Sequence, residues 1–269
     1  LSGALIDIPI SSDASMANGF YDFSIKNVVL THTDGTKVIP ENYKGTVIVG
    51  DGGQEPTVAM YGRYTSEKMS EASEALSNNK NILSIDLSKA ENIEDGASLT
   101  TGNPNTVIFV AENVSLSNAN NVVVNNVCNN LKINDGFDFG TNCTFTAKNA
   151  EYARTMPTMD NGEKAKWGTI ALPFALQSDE KVQYHVLSSV NDAHSVMAFE
   201  PIKNVEPGTP AVFNLLDDSG ELTVTSNNTE IASTINVGET KANNWSMTGT
   251  YKGLNLDPLA ADNRDKSIY

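Results

Sequence analysis

Cysteine is nearly absent from this 269-residue sequence: Cys128 and Cys143 are the only two. Two cysteines do not make a disulfide scaffold, and their separation matches no CxxC or zinc spacing. The spacing predicts that they stay unbonded, since they fall at different phases of the repeat described below. Basic residues are also scarce, eighteen Lys and Arg against thirty-three Asp and Glu, for a net charge of −15. That surface is a poor match for phosphate backbones, so nucleic acid is not an expected partner. It equally disfavours an electrostatic anchor on anionic lipid, and reads as solubilising charge. No apolar run approaches the ~18 residues of a membrane span. The sequence shows no initiator Met or signal-peptide pattern, and "LSGALIDIPI" and the closing "RDKSIY" both read as strands cut at the ends of the chain.

The usual signatures of chemistry are missing too. His32, His185 and His194 are scattered, without an HExxH or paired-His spacing, which sets zinc aside. There is no GxSxG, P-loop or dinucleotide-binding fingerprint. Nine Phe, eight Tyr and two Trp are few for a sugar-processing cleft. No catalytic, cofactor-binding or metal-binding residue is assigned, and no cofactor is expected.

What the sequence does have is β-pattern, with 39% hydrophobic residues to build a core. The expected class is all-β. Residues 1–60 read as a partial β-sandwich, with hairpin-type turns at Asn18-Gly19 and Asp34-Gly35. Residues 61–80 read as a helical linker. Within it, "TSEKMSEASEALSNN" can be capped by Thr65 or Ser66, carries Glu67 in its first turn, and puts Met69, Ala72 and Leu76 on one face. Its thin apolar stripe and three glutamates favour a cap packed on β-structure over a membrane helix.

Residues 81–155 change rhythm. Short apolar triplets recur, and their starts lie in the low twenties apart: Val107 to Leu131, Val114 to Phe137, Val122 to Phe145. Three short strands per such period is the pattern of a β-helix or related solenoid, which predicts Val122 over Phe145 and Val114 over Phe137. The asparagines of "NANNVVVNNVCNNLKIND" fall between triplets, as corner residues that tolerate φ > 0 and can bond coil to coil. An antiparallel meander with Asn turns is the competing reading. From 156 to 269 the strands lengthen and recur about every ten residues, which reads as an antiparallel sandwich.

In that last segment "WGTIALPFAL", "YHVLSSV", "MAFEPIKNVEPGTPAVFNL" and "NNWSMTGTYKG" resemble a C-terminal module of large secreted surface proteins of gut bacteria. The resemblance covers roughly 160–253. Separately, "GFYDFSIKNVVLTHTDGTKV" is similar to the closing strands of cohesin-like sandwiches, over residues 1–50. Both patterns are incomplete at the ends of the chain. Neither supplies catalytic residues. Together they imply a non-enzymatic binding or adhesion protein, extracellular or on the cell surface, whose partner is a surface glycan or protein. The alternative is a polysaccharide-active β-helix enzyme or an accessory carbohydrate-binding module.

Few residues stand out as candidate contacts. Tyr61 and Tyr64, in "MYGRYTSE", are the preferred ligand-contacting aromatics. Trp167 and Trp245 sit in strand-like runs and read as core. Asp135 and Asp138 in "NDGFDFG", and Asp217 and Asp218 in "DDSG", read as turn residues, because neither stretch has the ligand spacing of a calcium loop.

Overall fold

The computed structural model of the chain describes residues 19–25, 29–31, 34–38, 43–49, 57–59, 62–63 and 65–251, leaving out 89, 92, 95, 142, 192, 194–195 and 235–237. The expected strand "LIDIPI", Asn18, His32, Tyr61, Tyr64, His194 and "RDKSIY" lie outside the described residues. The structure is all-β with one short helix.

At the N-terminal end, β1 (Gly19–Ile25), β2 (Leu30–Thr31), β3 (Lys37–Val38) and β4 (Tyr43–Val49) form two antiparallel pairs, β1 with β4 and β2 with β3. The β2–β3 hairpin turns at the expected Asp34-Gly35. Gly35 takes φ 86°, and Asp34 Oδ1 accepts the Thr36 N–H at 2.8 Å.

A coiled segment follows. Its strands are β5 (Thr57–Ala59), β6 (Gly62–Arg63), β7 (Ser84–Leu87), β8 (Ala90–Glu91), β9 (Val107–Val110) and β10 (Val122–Val124). Successive members β5, β7, β9 and β10 are parallel neighbours, and β6 runs parallel to β8. Parallel stacking of β9 on β10 makes the middle solenoid-like rather than a meander. The repeat is uneven, however. Ser84 faces Val107, 23 residues on, but Ile108 faces Val122, only 14 on.

The coil then reverses. Asn125 (φ 49°) and Asn126 (φ 60°) form a two-residue turn from β10 into β11 (Val127–Asn134), with Val124 opposite Val127. Two successive left-handed residues match the twist of a hairpin, and Asn tolerates them better than most residues. β11 pairs in parallel with β12 (Phe145–Thr155), at a 19-residue offset from Val127 to Thr146. The expected stackings are therefore corrected. Val122 lies beside Ile108, Phe145 faces Ile231, Val114 is buried inside the coil, and Phe137 is 40% exposed.

The helix α1 (Ser66–Leu76) covers the coil interior. Met69, Ala72 and Leu76 pack against Ile85, Leu87, Ile108 and Val110. Its cap is partly remote. The Glu94 carboxylate accepts both the backbone N–H of Ser66, at 3.0 Å, and the Ser66 hydroxyl. An anion at a helix N-terminus satisfies an orphan donor and meets the positive end of the helix dipole.

The C-terminal strands are β13 (Trp167–Ile170), β14 (Leu176–Gln177), β15 (Val182–Asn191), β16 (Val196–Ile202), β17 (Asn204–Val205), β18 (Ala211–Leu215), β19 (Glu221–Ile231), β20 (Glu239–Ala242) and β21 (Trp245–Thr248). Four make an antiparallel sheet in the order β13-β18-β15-β16. β19 instead pairs antiparallel with β12 along ten residue positions, closing a seven-stranded sheet β19-β12-β11-β10-β9-β7-β5. The layer facing the C-terminal sheet is thus built from residues before and after Thr155, where the sequence reading places a boundary. One core joins the two sheets: Val123, Leu131, Phe145, Ala150 and Leu222 share it with Ile170, Phe174, Tyr184 and Phe213. The seven-stranded sheet alternates its faces accordingly. In β9, Val107 belongs to this core, while Ile108 and Val110 face the coil interior.

Trp167 is corrected as well. It is 56% exposed, and Trp245 is 40% exposed. The parity of β13 puts Gly168 and Ile170 inward. A Cβ on Gly168 would sit 2.7 Å from the Phe213 ring, so the ring occupies the space a side chain would need.

Candidate functional site

Three asparagine side chains explain much of how the candidate site is held. A strand residue paired in a ladder gives one N–H and takes one at its carbonyl, and a carboxamide carries the same donor–acceptor pair. Asn118 accepts from Leu99 N (3.0 Å) and donates to Leu99 O (2.7 Å). Asn121 accepts from Lys132 N (2.7 Å) and donates to Lys132 O (3.0 Å). Asn105 does likewise with Asn134, at 2.7 and 3.0 Å. β10 has three residues and β11 has eight. The carboxamides of Asn121 and Asn105 thus serve backbone groups of β11 that β10 is too short to reach.

Of the asparagines expected at corners, 121, 125 and 126 have positive φ. Asn129, Asn130 and Asn134 are instead strand residues of β11. Coil-to-coil bonding is present, and Asn149 Nδ2 donates to Asn130 Oδ1 at 3.2 Å.

Asn103 and Asn105, both buried, also hold the turn after β11 from beneath. Asn103 Nδ2 donates to Asp138 O (2.9 Å), and Asn105 Nδ2 donates to Phe137 O (3.0 Å). Gly136 takes φ 79°, which an L side chain would resist, and the chain doubles back there. This turn forms one wall of a cleft of about 270 Å³. The other walls come from Tyr152 and Arg154 of β12, the segment Thr169–Pro173, and Tyr251.

Inside the cleft, Asp135 is held at both oxygens. Tyr152 Oη donates to Oδ1 at 2.7 Å, and Arg154 Nε lies 3.6 Å from Oδ2. Burial first, and then the bond and charge of Asp135, push the Tyr152 phenol above its ordinary value, so it stays a donor. Arg154 is committed elsewhere too. Its Nη1 donates to Thr169 O at 3.2 Å, and its guanidinium carbon lies 5.9 Å from the centre of the Phe213 ring. Asp135 keeps 45% of its side chain exposed, against 27% for Arg154. Phe139 and Tyr251 meet edge to face, with centroids 6.4 Å apart, and Phe139 N donates to Tyr251 O. Burial raises the Tyr251 phenol to about 12.

The sequence-level candidates distribute as follows. Asp135 and Asp138 do form a turn, but that turn is also a cleft wall, and Asp135 looks into it with Phe137. Asp217 is a turn residue, accepting from both the N–H and the hydroxyl of Ser219, and Asp218 pairs with Lys166. Cys128 and Cys143 form no disulfide, as expected, the first being buried and the second exposed. Among the described residues, no group of three His, Cys, Asp or Glu is placed to hold a metal ion. No helix among them is long and apolar enough to cross a membrane.

The sequence alone does not mark Tyr152, Arg154, Phe137 or Tyr251 as site residues. The one signal available is the Tyr-x-Arg alternation of "EYART", which sends both side chains to one face of β12. A second hollow, about 460 Å³, runs along the coil corners and is lined by Asn120, Asn129, Asn130 and Lys148 over aliphatic residues. Comparison with protein-family profiles, curated proteins and solved structures finds no match to this chain.

Proposed function

We propose that this chain is a non-enzymatic binding or adhesion protein that works outside the cell, on a surface glycan or protein. The observation that carries this reading is the cleft itself, where an exposed aromatic ring stands beside a carboxylate with one enforced orientation. Rigid, pre-positioned polar groups next to an apolar wall are what recognition sites require. The buried carboxamides under the 134–138 turn supply that rigidity. Asp135, engaged at both oxygens, is arranged to accept hydrogen bonds in one place rather than to shuttle a proton.

Two features of the sequence lend further support. The C-terminal pattern resembles modules of secreted surface proteins, and the net charge of −15 turns polyanionic partners away.

The experiment is a glycan-array and surface-binding screen of the purified chain, run beside a polysaccharide-degradation assay. Binding without product is expected, with none of the steep salt dependence of phosphate contacts. Turnover of a polysaccharide, lost when Asp135 and Asp138 are both replaced by alanine, would install the polysaccharide-active reading instead.

A further inference from the structure

We propose that the cleft between the 134–139 turn and β12 is a subsite for one neutral sugar residue, stacked on Phe137 and hydrogen-bonded to Asp135. This rests on the binding reading above and names the ligand class for it.

An ionised carboxylate offers about four acceptor positions. Tyr152 takes one on Oδ1, while Arg154 makes only an ion pair with Oδ2, at 3.6 Å, beyond hydrogen-bond length. Each oxygen keeps acceptor capacity, on a group that is 45% exposed. Two acceptors on one fixed group suit two neighbouring hydroxyls, the polar unit that recurs around a sugar ring.

Charge then narrows the class. Among the described residues lining the cleft the one cation is Arg154, already shared among Asp135, the Thr169 carbonyl and the Phe213 ring. An acidic sugar would bring a carboxylate toward Asp135 with no uncommitted cation among those residues to receive it. That turns an anionic ligand away, and the acceptor positions on Asp135 then fit a neutral polyol.

The apolar side narrows it further. Phe137 is 40% exposed at the cleft, on a turn whose backbone is tied down by Asn105. A pyranose has an apolar C–H face that covers such a ring, and an open-chain polyol has none. At about 270 Å³ the cleft is just below the ~300–1,000 Å³ of small-molecule pockets, room for a single residue rather than a length of chain.

The test titrates the whole chain with methyl glycosides of neutral hexoses and with methyl glucuronoside, by ligand-observed NMR. At least one neutral glycoside should bind, and the glucuronoside at least tenfold more weakly. Asp135→Asn and Phe137→Ala should each weaken that binding about tenfold or more, with Trp167→Ala unchanged. Melting curves of all three variants show that each is folded, and Phe137→Leu keeps the apolar bulk in case the alanine variant melts early. Three results would overturn the subsite: binding lost in Trp167→Ala but kept in both cleft variants, preference for the glucuronoside, or capture of a protein partner with no hexose bound. All three leave the chain a binding protein. Degradation of a polysaccharide with no retained ligand would remove both readings together.

Discussion

Asn105 is completely buried, yet its carboxamide is fully used: it serves Asn134 at both backbone groups and Phe137 at its carbonyl. Buried polar groups are tolerated only when paired, and removing one partner exposes the others to the whole cost of desolvation. Asn105→Ala would remove the partner of one backbone N–H, the Asn134 side-chain amide and two carbonyls, though water entering the gap would recover part of the loss. We expect a loss of about 2–4 kcal/mol in urea unfolding, against under ~1 kcal/mol for the exposed Asn129→Ala. Equal losses would mean that the carboxamide is not a structural rung. The same variant should loosen the 134–138 turn, and so weaken ligand binding even at temperatures where the protein stays folded.

At the scale of the element, the Asn125-Asn126 hairpin and the remote cap of α1 each carry a prediction. Both hairpin residues have positive φ, which costs ordinary L residues about 1–2 kcal/mol each. Asn126→Gly should therefore be neutral or stabilising, and Asn126→Val should lose about 1–2 kcal/mol, read by thermal unfolding. For α1, the Ser66 hydroxyl first, and then the Ser66 N–H, hold the Glu94 carboxyl below the usual carboxylate range. A depressed folded value means the contribution is present above the unfolded value, ~4.3, and fades as pH falls through the lower folded one. Glu94→Gln keeps an acceptor but has no proton to gain. Wild type should be the more stable at pH 7, with the difference shrinking below pH ~4. A difference that is flat with pH would contradict the cap.

These elements also show what could be read in advance. The helix, with Met69, Ala72 and Leu76 inward, follows from its spacing, and the 23-residue step holds from β7 to β9. It fails afterwards because an apolar triplet marks a strand without giving its direction. Parallel coil and hairpin space such triplets alike, and only the adjacent pair of left-handed asparagines separates them. The apolarity of Trp167 points to the core, but the parity of β13 overrides it, because the small Gly168 faces Phe213. The cleft was the least legible part. Asp135 and Tyr152 are seventeen positions apart, and their contact depends on the 19-residue offset between β11 and β12.

Across the whole molecule, the core shared by the two sheets ties the coil to the C-terminal strands. Phe213 is fully buried in it and forms the ring beneath Arg154. Phe213→Ala should cost about 3–5 kcal/mol and lower the coil and the C-terminal sheet together in one unfolding transition, followed by hydrogen exchange. Separate transitions would mean that the sheets are stable apart. The same joint places the cleft where both sheets contribute walls, so the proposed recognition depends on the assembled molecule. Hydroxyl-radical footprinting of the chain, with and without a pool of neutral oligosaccharides, is the most direct test of that claim. Protection should fall on Phe137 and Tyr251, with Trp167 and Trp245 unchanged and the oligosaccharides recovered intact. Protection confined to the tryptophans, or shortened oligosaccharides, would contradict it.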